Sequence, residues 1–527
     1  MAPRRSARLA LARGDGGAVG AVMKPRRSER LHARGQGGGG AEAAEMRPWR
    51  TARRVRARRG GGGEDRISAL PADLLLQILL RLGCARAAAR AGLVSRRWRG
   101  LWALLPEIHL RGVSPGSLDA ALAGLEAARA GALAKAAPPA VLDVEASGVG
   151  ISYRLVASWL LRAARLAPGE LRLSVAGSRP PRAAPRAVQL PCFEHTNSIE
   201  LTLQDFHFHL LPPQGGEFLK LERLALKGCH FEDAIAMLTC CPRLRVLEIV
   251  DPTKLAPSHT IHSATLEELV LEDKIYRGLQ LDIVAPVLKH LSISSDIERA
   301  SVSAPSLEKL SLNCTGDWQN IQLTDVGQLR ELRLFGLLFN RSGRPLCFGD
   351  GVQSFMQQLP HLHLLRIELT PRRFYTDVLY TDEPPGWLRE LPKTSILMLQ
   401  LSTSGHEFSG TVLHVLKMVK GIEELTVLID SPKLQETRSP VCYCHPYKAR
   451  ASEGLSLSLL KKVEFKGFTS AKSAINVLKL LLTSAKALEE MTVTLCSKDS
   501  PGYERQKQKL ISIFNLYPTV KCQVLPF

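Results

Sequence analysis

Hydrophobic positions along this chain follow first a helical period and later a strand period. Leu74, Leu75, Ile78, Leu79 and Leu82 fall at i, i+1, i+4, i+5 and i+8, the wide apolar stripe of an amphipathic helix. Pro71 suits its first position, Asp73 suits the positive helix start, and Gly83 supplies a stop. Ser95 can cap a later helix bearing Trp98, Leu101, Trp102 and Leu105 on one face. Short strands are expected at Ile108–Leu110, Val141–Glu145 and Leu171–Val175, and helices at Leu118–Leu133 and Tyr153–Leu166. Arg179–Arg186, with three prolines, reads as a surface loop.

From about residue 198 a unit L-x-x-L-x-L dominates. It occurs at Leu221-Leu224-Leu226, Leu244-Leu247-Ile249, Leu266-Leu269-Leu271, Leu288-Leu291-Ile293, Leu307-Leu310-Leu312, Leu329-Leu332-Leu334 and Leu362-Leu365-Ile367. Weaker copies begin at Ile396, Ile422, Leu460 and Leu488, and a degenerate one covers Ile199–Leu203. The spacing is about 19–23 residues up to position 329 and about 26–38 beyond it, within or just above the range of leucine-rich repeats. The second and third apolar residues of each unit, two apart, point inward from a short parallel strand; the residues between them point outward. One repeat cannot cover its own apolar face, so neighbours must stack. Pro242, Pro286 and Pro305 precede three units and mark strand starts, since proline lacks a ladder donor. A buried helical solenoid is the alternative, because short apolar runs are ambiguous. After Lys461 the pattern reads strand, then a helix through Ile475, Leu478, Leu481 and Leu482, then strand. Tyr503–Tyr517 adds a further helix and Val520–Leu525 a last strand.

Composition adds bounds. A 527-residue chain with 45% hydrophobic and 23% charged residues has the balance of a soluble globular protein of two to four domains. No apolar run is long enough to span a membrane, and no secretory h-region follows the first arginines. Eleven scattered cysteines suit reduced thiols in nucleus or cytoplasm. Of the net +20, about +12 lies in residues 1–63, an Arg/Gly-rich segment too poor in large apolar residues to order itself. Within it PRRSARLALARG, from Pro3, recurs as PRRSERLHARG, from Pro25. Met23 stands before the second copy as an alternative start to Met1. The basic run Arg53–Arg59 is either a solvated tail or a site for an import receptor or phosphates.

No nucleophile elbow, P-loop, HExxH or dinucleotide fingerprint appears, so neither an enzyme nor a cofactor is expected. Cys442-x-Cys444-His445 lacks a second ligand pair, and His207/His209 alone do not close a metal site. The outward strand positions include Arg223, Lys227, Val246, Glu248, Glu268, Val270, His290, Lys309, Glu331, Arg333, Phe335, Arg366 and Glu368. Mixed signs with a few apolar anchors fit a protein partner better than a nucleic-acid groove, which is predominantly positive. Val246, Val270, Arg333, Phe335 and Arg366 are the substrate-binding candidates. A solvated face with no partner is the alternative.

The wording from Asp65 to Trp102 carries more than its periodicity. Asp-Arg-Ile-Ser, Leu-Pro, Leu-Leu, Ile-Leu and Leu-x-Ser-Arg-Arg-Trp-Arg-x-Leu-Trp together resemble the F-box of plant F-box proteins. The stretch from Leu459 to Val493, with Lys462-Val463-Glu464-Phe465-Lys466-Gly467-Phe468, resembles the FBD region that closes many plant F-box/leucine-rich-repeat proteins. The resemblance implies an α/β chain in four parts. These are a disordered tail at 1–63, a three-helix F-box at 64–110, an irregular leucine-rich-repeat solenoid with convex helices or loops at 111–455, and an FBD-like cap at 456–527. It implies docking of Leu70, Pro71, Leu74, Ile78, Leu79, Val94 and Trp98 onto a Skp-type adaptor, and through it onto a cullin–RING ubiquitin ligase, with an unidentified protein as substrate. Ala91 and Val94 depart from the usual Thr and Leu of that motif. Two further classes stay open: a non-degradative interaction protein, and a nuclear nucleic-acid binder using the arginine tail.

Overall fold

The computed structural model of the chain describes residues 70–93, 96–98, 100–131, 137–148, 151–177, 186–204, 208–211, 213, 216–229, 234–250, 258–272, 278–295, 297–313, 321–339, 345–346, 355–359, 361–371, 390–402, 408–430, 455–468, 472–495 and 502–526. The arginine-rich segment 1–63, Val94, Ser95, His207 and Cys442-x-Cys444-His445 lie outside them. The chain divides into Met1–Glu64 and Asp65–Phe527, and all that follows concerns the second unit.

Helix α1 (Ala72–Leu80) begins after Pro71, whose carbonyl accepts the amides of Leu74 and Leu75, both at 3.1 Å. Gly83, at φ +59°, turns the chain into α2 (Ala85–Ala91). The third helical element is not one continuous helix. Gly100 takes a left-handed φ of +78° and splits it into 3-10 turns at Arg96–Trp98 and Leu101–Leu104. A β-carbon is costly at that φ, so the break is written into the glycine. Trp98 and Leu101 therefore sit on separate turns.

Beyond them, among the described residues, runs one sheet of seventeen strands, from Glu107–Val113 to Lys521–Pro526, parallel except for the short Pro345–Leu346. Each main strand pairs with the next so that inward side chains stack in register. One row passes through Ile108, Leu142, Leu171, Ile199, Leu224, Leu247 and Leu269, then Leu291, Leu310, Leu332, Leu365, Leu397, Leu425, Val463 and Met491. All of these are buried. The first leucine of each unit is buried as well, as at Leu221, Leu244, Leu266, Leu288 and Leu307. Pro242, Pro286 and Pro305 each occupy the second position of a β-turn closed by Leu244, Leu288 and Leu307, where proline's fixed φ is an asset.

The inward rows share their core with what backs the sheet, and that backing changes along the chain. At the ends it is helical: α3 (Pro115–Ala130) packs on α4 (Tyr153–Leu166), and Ser409–Met418, Lys472–Ser484 and Tyr503–Phe514 serve the last rungs. In the middle it is a second parallel ladder of Ser258–His262, Leu279–Val284, Ile297–Ser303 and Ile321–Thr324. The expectation of helices or loops on that side does not hold there. Repeats of about 19–23 residues leave little length for a helix plus two connections. The alternation of Leu279, Leu281 and Ile283, buried between exposed Gln280, Asp282 and Val284, was the available signal.

Three boundaries also differ from expectation. The strand Glu107–Val113 belongs to the sheet, so the 110/111 division between helical unit and solenoid falls inside one element. Strands at Lys462–Phe468, Glu490–Leu495 and Lys521–Pro526 continue the same sheet, so 456–527 adds its last rungs. The weak unit assigned to Ile396 starts at Thr394, since Leu397 and Leu399 point inward and Ile396 outward. Inside Lys462–Phe468, Gly467 holds φ +71°, and a β-carbon there would stand 2.5 Å from the Ile429 carbonyl. That glycine lets the register shift between Lys466 and Phe468 occur and brings Phe468 into the core.

Candidate functional site

Two faces are candidates, the outer side of α1 and the outer side of the main sheet. The stripe on α1 is wider than the core beneath it can cover. Leu75 and Leu79 are each 1% exposed and pack into the interior with the turn Leu101–Leu104. Leu74 and Ile78, one position earlier on each turn, remain 42% and 37% exposed. Leu80 and Leu82 are exposed beside them, Pro71 is exposed at the start, and Leu70 is half-buried against the core. Leaving such side chains bare forgoes about 1.5–3 kcal/mol each relative to full burial.

The residues expected at an adaptor contact thus divide. Pro71, Leu74 and Ile78 form an accessible apolar edge. Leu79 and Trp98, the latter 8% exposed, are core residues, and Val94 lies outside the described residues. A heptad-like stripe does not reveal which of two adjacent leucines faces in; packing against the turn Leu101–Leu104 decides it. The helical unit is fixed to the first strand, with Arg86 donating to the Gly112 carbonyl. Arg129 Nη1 donates to the Ala137 carbonyl at 2.6 Å, closing the loop behind the same junction.

On the sheet, all the outward positions read from the repeat lie on the side opposite the buried rows. Most of their charges are used against one another. Arg223 pairs with Glu248 at 2.6 Å, Lys227 with Glu200 at 2.7 Å and Lys309 with Glu331 at 3.5 Å. Nearest the helical unit, Asp143 accepts from Arg111 and from His109 Nδ1, the latter at 3.0 Å. Burial alone would raise the Asp143 pKa, but the bonds from Arg111 and His109 hold it below the ordinary carboxylate range.

Val246 and Val270 are half-buried on this face and lie on adjacent strands, offset by one outward position. Arg333 and Arg366 are in direct register, and the Arg333 guanidinium lies 5.7 Å from the Phe335 ring centre. Sequence reading passed over the apolar outward residues next to them: Leu364 in register with Ile396, and Met398 in register with Arg366. Because Ile396, Leu397, Met398 and Leu399 are all apolar, alternation along that strand is invisible, and only pairing shows which point outward.

Burial drives the thiols of Cys229 and Cys241 up to about 12, so neither is a nucleophile near neutrality. Among the described residues no group of three or more His, Cys, Asp or Glu could hold a metal ion, and no helix is long and apolar enough to cross a membrane.

With this geometry in view, comparison with known proteins gives the following. Residues 67–103 match the F-box-like family model. Residues 156–358 match the leucine-rich-repeat model described for the FBD-associated F-box protein At5g56370. An Arabidopsis thaliana F-box/FBD/LRR-repeat protein, At2g04230, is 30% identical over 250 residues, covering 44% of this chain and 54% of that protein. The chain thus spans about half the length of the curated relative it matches. It is an α/β leucine-rich-repeat array preceded by an F-box-like helical unit.

Proposed function

We propose that this chain, F-box-like at α1 and α2 and leucine-rich-repeat beyond them, is the substrate-recruiting subunit of a Skp–cullin–F-box ubiquitin ligase. The observation that carries the reading is the divided stripe of α1 within the F-box-like segment, where Leu75 and Leu79 anchor the helix and Leu74 and Ile78 stay accessible. An adaptor surface covering Pro71, Leu74 and Ile78 removes exposed apolar area at little ordering cost, because the helix is already held. The outer strand face, some rungs away, holds a protein substrate. The chain performs no bond chemistry itself; it raises the effective concentration of a substrate lysine near a ubiquitin-conjugating enzyme. The unpaired thiols of Cys84, Cys192 and Cys240 support work in nucleus or cytosol.

Capture of a Skp-type adaptor by the full chain tests this. Leu74→Asp/Ile78→Asp is expected to abolish capture while leaving the melting temperature unchanged. Undiminished capture by that variant overturns the docking face. Absence of capture by the unaltered chain overturns the ligase reading and leaves a non-degradative interaction protein.

A further inference from the structure

Among the described residues, most cations on the outer strand face meet a carboxylate. Lys462 reaches Glu424 at 3.4 Å and Lys466 reaches Glu464 at 3.0 Å, continuing the pairing seen at Arg223, Lys227 and Lys309. At Arg366, beside Arg333, the pairing fails. These two guanidinium groups sit on neighbouring strands in direct register, about 4.7–4.9 Å apart in backbone. Arg333 Nη2 is 3.4 Å from Glu368, while Arg366 Nη2 donates to the neutral Gln400 Oε1 at 2.7 Å. Among the described residues, Glu368 is therefore spent on Arg333, and Arg366 meets no carboxylate. The Nε of each is buried and has no acceptor. A charged donor left unsatisfied in a partly buried site is costly, and a carboxylate is the group whose geometry matches two guanidinium forks.

The surroundings of this pair are apolar where other rungs carry charge. Leu364 and Ile396 are in register on the outer face, and Met398 is in register with Arg366. Leu364 lies two residues from Arg366 on one strand, about 6.6–6.8 Å away. An extended peptide laid along the strand repeats that same spacing between its own i and i+2 side chains. A nucleic acid is poorly served, since Glu331 and Glu424 stand among the outward residues nearby.

We infer that Arg333 and Arg366 receive an extended peptide segment whose Asp or Glu lies two residues from a large apolar side chain, the latter seated on Leu364, Ile396 and Met398. The inference rests on the reading of the strand face as the substrate surface.

The experiment is selection of a randomised twelve-residue peptide library on the full chain, followed by affinity measurement of one selected peptide and its Asp→Asn version. Expected is enrichment of Asp or Glu two positions from Leu, Ile, Met or Phe, with the Asn version binding about tenfold more weakly. Arg366→Gln is expected to weaken the Asp peptide by a similar factor, leave the Asn peptide unchanged, and be partly rescued by Arg366→Lys. Selection without acidic bias, equal loss of both peptides on Arg366→Gln, or binding only of single-stranded RNA overturns the inference. The Asp/Asn comparison on the unaltered chain needs no variant to fold. Adaptor capture is read separately. Its loss with peptide selection intact sinks the ligase reading alone, and the reverse sinks this inference alone.

Discussion

Helix α1 and the strand array both carry leucine at high density, yet they cover it differently. In the array each inward leucine meets an inward residue on the rung before and the rung after, as Leu269 meets Leu247 and Leu291, and the inward row is buried. On α1 the stripe is broader than its support, so Leu75 and Leu79 go in and Leu74 and Ile78 stay out. A repeat supplies its own neighbour, whereas among the described residues α1 buries Leu75 and Leu79 only. Apolar surplus at α1 thus points to a partner, whereas the inward rows of the sheet cover one another.

The strongest way to break this contrast is a charge in the inward row. Leu291→Asp places an unpaired carboxylate between Leu269 and Leu310, and the array is expected to lose cooperative unfolding in a thermal melt. Retention of a native melt would show that the inward row is not a continuous core. Next in size is the comparison within α1. Leu79→Ala should cost about 2–5 kcal/mol by denaturant titration, and Leu74→Ala at most about 0.5 kcal/mol, although they are the same substitution five residues apart. Equal costs would remove the division on which the docking face stands.

A third test uses acid. The Asp143 carboxyl has its pKa lowered in the folded chain, so its contribution is present above its unfolded pKa of about 3.9 and lost as pH falls through the lower folded value. The stability gap between the unaltered chain and Asp143→Asn should stay level from pH 7 to about 4 and close below that. A gap that closed on raising the pH would invert the assignment. The smallest effect belongs to the paired ladder. Lys309→Met should shift stability by no more than about 1 kcal/mol, because Lys309 and Glu331 pair at the surface at 3.5 Å with both side chains solvated. A larger loss would mean that the outer face, too, is part of what holds the array together.

Much of this molecule was legible in its residues. Inward leucines two apart follow from the side-chain period of a strand, so Leu224/Leu226 or Leu310/Leu312 could be assigned without neighbours. The helix Tyr153–Leu166 was equally local, through periodicity; the prolines, expected at strand starts, sit instead in the turns that precede Val246, His290 and Lys309. How the candidate docking residues divide between surface and core was not readable.

What escaped the sequence depends on pairing across the fold. Thr394, not Ile396, starts its unit because Leu397 stacks between Leu365 and Leu425, a fact invisible in a run of apolar residues. The second ladder behind residues 258–324 exists because four short repeats stack their return segments. Arg333 and Arg366 come into register, with Glu368 paired to Arg333 and only Gln400 to Arg366, because strands far apart in sequence lie side by side. Local chemistry determines which residues can be strand, helix or turn. Which of two neighbouring leucines is covered, and which charge finds a partner, is decided by residues far along the chain that only the folded structure brings within contact range.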